Sequence, residues 1–109
     1  MDNRRAAHRF PLQLSVQVRA TSPEWSRRIS GTTRDIGSTG LYFLSGQKFD
    51  VGSAVEVLVT LPHRILPRGE AQVRCKGRVL RVDALPGGAT AMLGVAASIE
   101  GYDFLTAPH

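Results

Sequence analysis

Cysteine is nearly absent from this chain, and that scarcity already removes whole classes of protein. Among 109 residues only Cys75 carries a thiol, so no internal disulfide can form, and a reducing, cytoplasmic setting is expected. Long apolar runs are missing as well. No stretch approaches the roughly 20 residues that a membrane-spanning helix needs, so membrane insertion is not expected. The opening residues, Met1 to Phe10, are charged without an apolar stretch behind them, which argues against a secretory leader. Aromatic residues make up only 6% of the chain, so the core must be built mainly from Val, Leu, Ile and Ala. Lysine is scarce too: of fourteen basic residues, only Lys48 and Lys76 are lysines and the rest are arginines.

The chain has one domain's length and a hydrophobic fraction of 42%, with mean hydropathy −0.09. These are the values of a globular domain large enough to bury a core without metal or disulfide support. The net charge is +5 and the isoelectric point about 10.4. Arginine presents a planar fork of donors that matches phosphate and the Hoogsteen edge of guanine, so the excess favours an anionic partner. A G+C-rich coding sequence would raise arginine equally.

Strand signals recur along the chain. Leu12, Leu14, Val16 and Val18 alternate with polar residues, and Arg28 to Ile36 is a second strand rich in Thr and Ile. Leu41–Leu44 is short. Val55, Val57, Val59 and Leu61 alternate again until Pro62. Val73, Cys75, Gly77 and Val79 follow, with a slip of phase that predicts a bulge near Gly77–Arg78. Ala89 to Ser98 is the last expected strand, and Gly101 to His109 has no readable pattern. Turns are expected at Thr21–Glu24 and Pro86–Gly88, and a loop over Pro62–Gly69. Six or seven short strands and no amphipathic helix predict an all-β fold, an antiparallel barrel or sandwich.

Two local features carry chemistry. The first eleven residues are strongly basic, and Arg5 and Arg9 stand four apart, a spacing that turns both to one side in a helix or a strand. Pro11 keeps Phe10 out of the helical region, so the arm should be extended where it meets the first strand. The second feature is Asp35-Ile36-Gly37-Ser38-Thr39-Gly40, between two strands. An aspartate can accept from N1–H and N2–H of a guanine, while Gly37 and Gly40 let backbone N–H groups approach a phosphate. Taken singly, the arm reads as a solvated tail and the hexapeptide as an ordinary β-turn.

Together, Arg5-Ala6-Ala7-His8-Arg9 and Asp35-Ile36-Gly37-Ser38-Thr39-Gly40-Leu41 resemble the signature of the PilZ family. Gly77-Arg78-Val79-Leu80-Arg81 and Leu93-Gly94-Val95 are similar to its later strands, so the resemblance runs from Arg4 to about Phe104. It implies a six-stranded antiparallel barrel of split-barrel type (residues 12–105) with a flexible basic arm (1–11) and a short tail (106–109). It also implies a receptor for cyclic di-GMP in bacterial second-messenger signalling, coupled to an effector protein that the sequence does not name. By that resemblance Arg5 and Arg9 grip guanine and phosphate, Asp35 reads a guanine edge, and the turn to Gly40 supports the ligand. Arg4, just before the arm motif, suits an intercalated ligand dimer. One position departs. The family's serine falls on Gly37, and Ser38 is displaced by one residue, so its hydroxyl should point to the other face. The loss of one neutral hydrogen bond costs about 0.5–1.5 kcal/mol, roughly tenfold or less in affinity.

Alternatives are fewer. A degenerate PilZ-like adaptor that binds protein instead of nucleotide would ordinarily lack the arm arginines. A general nucleic-acid barrel would show an aromatic stacking platform, which this chain lacks. No enzyme and no cofactor is expected: the Gly-x-Ser-x-Gly elbow is missing, and His8, His63 and His109 form neither a triad nor a metal spacing. Arg74, Lys76 and Arg78 form a basic strand face that could widen an anion-binding surface.

Overall fold

The computed structural model describes residues 9–21, 27–62, 71–86 and 92–105. They form β1 (Arg9–Phe10), β2 (Ser15–Ala20), β3 (Ile29–Gly37), β4 (Gly40–Ser45), β5 (Ala54–Leu61), β6 (Ala71–Leu85), β7 (Met92–Ser98) and β8 (Gly101–Leu105). Among the described residues there is no helix, hence none long and apolar enough to cross a membrane. The expected turn beyond Thr21, the loop beyond Pro62, the hairpin tip beyond Pro86 and residues 89–91 lie outside the described residues.

Neighbouring strands run in the order β3-β2-β5-β6-β7-β4, and a further β3–β4 pairing closes the ring. Each pairing is antiparallel. The result is a closed six-stranded barrel, flanked by β1 on β3 and by β8 on β6. Closure pairs the edges of the six ring strands, which would otherwise template aggregation.

The alternation in sequence becomes the inside of this barrel. Leu14, just before β2, and Val16 and Val18 within it meet Leu41, Phe43, Val55, Val57, Val59, Cys75, Val79, Val95 and Ala97 in the core. Phe49 caps one end, edge-to-face on Phe43 with ring centroids 5.9 Å apart. Burying the core valines and leucines stabilises by about 1.5–3 kcal/mol each.

Two bulges reset which residues face inward. One lies between Thr33 and Asp35. The other lies between Val79 and Arg81, slightly later than the slip at Gly77–Arg78 suggests: Val79 is buried and Leu80 stands outside, 55% exposed. Gly77 serves a different purpose. A Cβ there would collide with the carbonyl of Ser98, so the glycine permits close backbone approach where β6 passes from β5 to β7.

Ala89–Ser98 is not the last strand. β8 follows it and pairs with the first half of β6, from Lys76↔Gly101 to Gln72↔Leu105. Its alternation, Tyr102 and Phe104, spans only two apolar positions, too few to read as a period.

Candidate functional site

Sequence places the basic arm and the Asp35–Gly40 turn far apart, and the fold brings their backbones into one ladder. β1 pairs with the end of β3, with Arg9 opposite Gly37 and Phe10 opposite Ile36. Thr33 holds this arrangement. Its buried hydroxyl accepts from the Leu14 amide at 2.8 Å and donates to the Leu12 carbonyl at 2.6 Å. Its own amide donates to Leu14 O. One side chain therefore satisfies the backbone between β1 and β2, where the chain leaves the regular ladder. Arg4 and Arg5 lie outside the described residues, as do His8, His63 and His109.

Within the turn, Asp35 is half-buried and is not without a partner. Gly37 is half-buried, Ser38 is exposed, and Gly40 is buried opposite Ser98 on β7. Ser38 and Gly37 border an apolar cavity at the barrel end.

Next to Asp35 the outer face carries a cluster that sequence reading missed. Tyr42 pairs with Asp35 on one side and Ala96 on the other. Since Leu41 and Phe43 are in the core, alternation turns Tyr42 outward. It is nevertheless 3% exposed. The Arg34 guanidinium lies 4.3 Å from its ring centroid and that of Arg81 5.9 Å. Its hydroxyl donates to Asp83 at 2.9 Å, and Arg81 Nε donates to both Asp83 oxygens at 3.1 and 3.2 Å. Gly94 makes room, because a Cβ there would strike the phenol ring.

The electrostatics follow from these contacts. Burial, then the bond to Asp83, pushes the Tyr42 phenol above its ordinary value. The hydrogen bond from Tyr42, helped by Arg81, holds Asp83 below the usual carboxylate value. The spacing of Arg34, Tyr42, Arg81 and Asp83 in sequence gives no hint of this grouping, because a bulge in β3 and another in β6 place the arginines over the ring.

The basic face of β6 is largely occupied. Arg74 pairs with Asp103 at 3.4 Å and Arg78 with Glu100 at 3.8 Å. Glu56 on β5, 7% exposed, takes Arg19 and Arg28, each at 3.3 Å. A cavity of about 500 Å³ lies over β2 and β3, touching Gln17, Ser30 and Thr32 but none of the candidate ligand-binding residues. Among the described residues no three His, Cys, Asp or Glu side chains gather as metal ligands.

The family model described as PilZ domain matches residues 3–102. Among solved structures the chain is similar to the Bacillus subtilis inhibitor of motility, MotI/DgrA, with TM-score 0.66 and 18% identity, covering 87% of this chain and 42% of that one. The chain thus spans less than half the length of that protein, and the likeness concerns the fold. No curated protein matches.

Proposed function

The chain belongs to the PilZ domain family, and from that premise we propose that it is a receptor for cyclic di-GMP. The observation that carries this reading is the pairing of Arg9 with Gly37, which joins the arginine arm to the motif turn at backbone level. Such a ligand offers two guanines and two phosphates. Arg5 and Arg9 bind phosphate and the Hoogsteen edge of guanine, Asp35 accepts from the Watson–Crick edge, and the Gly37 amide takes the place of the missing serine hydroxyl. Ser38 and Gly40 shape the turn, and Arg4 favours a stacked pair of ligands. The guanidiniums of Arg34 and Arg81, aligned on Tyr42, extend the cationic surface beside Asp35. Ligand held between the arginines and the turn then presents an altered surface that a protein partner reads, in a cytoplasmic setting.

Isothermal titration of cyclic di-GMP into the chain, with GTP as control, tests the assignment. Saturable binding with a ratio near two ligands per chain is expected. Arg5→Ala/Arg9→Ala should lower affinity about a hundredfold or more, from the loss of charge-assisted bonds of about 1.5–3 kcal/mol each. Absence of heat with wild type at high ligand concentration defeats the receptor assignment.

A further inference from the structure

The end of the barrel bordered by the motif turn is open and apolar. A cavity of about 220 Å³ is lined there by Ile36, Leu61, Val73, Cys75, Tyr102 and Phe104, with Gly37 and Ser38 at its border. A cavity of about 150 Å³ accepts benzene, so this one takes a large side chain, but it falls short of the ~300 Å³ at which small-molecule pockets begin. Its apolar walls also suit a hydrophobic side chain better than guanine, whose edge groups would lose their hydrogen bonds.

β8 forms one wall, and its construction is unusual. Among the described residues it pairs only with β6, so one edge of Gly101–Leu105 presents unpaired backbone groups beside the cavity. Tyr102 and Phe104 stand opposite Cys75 and Val73, turned toward the barrel end, yet they are 59% and 67% exposed. They touch edge-to-face, centroids 5.8 Å apart. Phe10, opposite Ile36 on the other flanking strand, is 58% exposed. A free edge next to an apolar cavity is the arrangement that accepts an added strand: main-chain bonds supply affinity, and alternate side chains enter the pocket.

Charge selects the occupant. Across from Gly101, which has no side chain to cover it, Lys76 is exposed and makes no ion pair among the described residues. On the same face Arg74 is already paired with Asp103 at 3.4 Å, so among the described residues Lys76 is the cation left to meet an incoming charge there, and the chain as a whole carries +5. We propose that the free edge of β8 is a docking site for an extended segment of a partner protein. That segment adds as a strand, places apolar side chains at alternate positions into the cavity, and carries acidic character between them, reaching Lys76 across Gly101. A second copy of this chain fits less well, since both copies are cationic. The cavity shares Gly37 and Ser38 at its border with the proposed nucleotide site, but the docking edge and its anchoring side chains, Tyr102 and Phe104, belong to β8.

The test uses random peptides of about ten residues displayed on phage, enough for one strand, selected against the whole chain. Enriched peptides are synthesised and titrated into wild type, Tyr102→Glu and Phe104→Glu; both side chains are mostly exposed, so the variants should melt like wild type. The expected result is a family with alternating apolar and acidic residues. It slows amide exchange across Gly101–Leu105, and either substitution weakens it at least about tenfold. No enriched family, a family without that alternation, or equal binding to both variants overturns the proposal. So does a dimer in solution that Phe104→Glu dissociates, which assigns the edge to a second copy. Cyclic di-GMP titrated into the same two variants should bind as in wild type, which separates a failure here from a failure of the receptor assignment.

Discussion

A tyrosine on the outer face of a small barrel is ordinarily half in water, whereas Tyr42 is covered by two guanidiniums and tied to Asp83. Its titration should show this. The folded phenol lies above 10.0, so the neutral form is favoured by folding; that contribution is complete below the unfolded value and is lost as pH rises through the folded one. Ultraviolet titration of Tyr102→Phe should therefore give a native midpoint above 10.0, falling to the ordinary value in urea. Asp83 has the opposite sign. Its folded value is below 3.8, so its contribution is present above the unfolded value and fades as pH falls through the folded one. Acid should lower the denaturation midpoint of wild type more steeply than that of Asp83→Asn. Gly94→Ala reaches the same cluster by steric means. The added methyl meets the phenol ring, and a stability loss of about 1–3 kcal/mol is expected from overpacking, with the native tyrosine midpoint drawn back toward 10.0.

At the level of elements, the junction between arm and barrel depends on Thr33 more than on any arginine. Thr33→Val keeps the shape but leaves the buried Leu14 amide without its acceptor, costing about 1–3 kcal/mol. Denaturant unfolding should show that loss, and native-state exchange should show the Phe10 and Leu12 amides opening ahead of the barrel, since they depend on the same junction. The chain's pattern made much of this architecture readable in advance. Leu14, Val16 and Val18 and the Val55–Val59 alternation are inward-facing in the barrel, because a strand with one buried face writes its period directly into sequence. Three features were not legible for physical reasons. β8 is short and pairs with residues nearly thirty positions away. The bulge at Thr33–Asp35 rests on register between strands, which no single strand encodes. The Arg34–Tyr42–Arg81–Asp83 cluster draws on three strands and needs Gly94 opposite. By contrast the motif turn was visible because its glycines and aspartate fall within six consecutive residues.

Across the whole molecule, ring closure ties the strands into one cooperative unit, and Cys75 reports on that unit. It is buried at 5% exposure between core valines and the cavity wall, and burial pushes its thiol above the ordinary 9.0. Both effects suppress thiolate at neutral pH, and with only 5% of the residue exposed at the cavity wall a bulky reagent should reach the sulfur chiefly when the barrel opens. Labelling by an aromatic disulfide reagent at pH 8 should be slow in native protein, should become fast and complete in urea, and should follow the rate of opening. Thr33→Val, which loosens the β1–β2 junction, should speed labelling only as far as it lowers global stability. Phe104→Glu, at the cavity rim, should leave the native rate nearly unchanged if access requires opening of the ring. A marked acceleration by Phe104→Glu alone would mean that the barrel end breathes independently of the closed ring, and that the strand-docking cavity opens without unfolding.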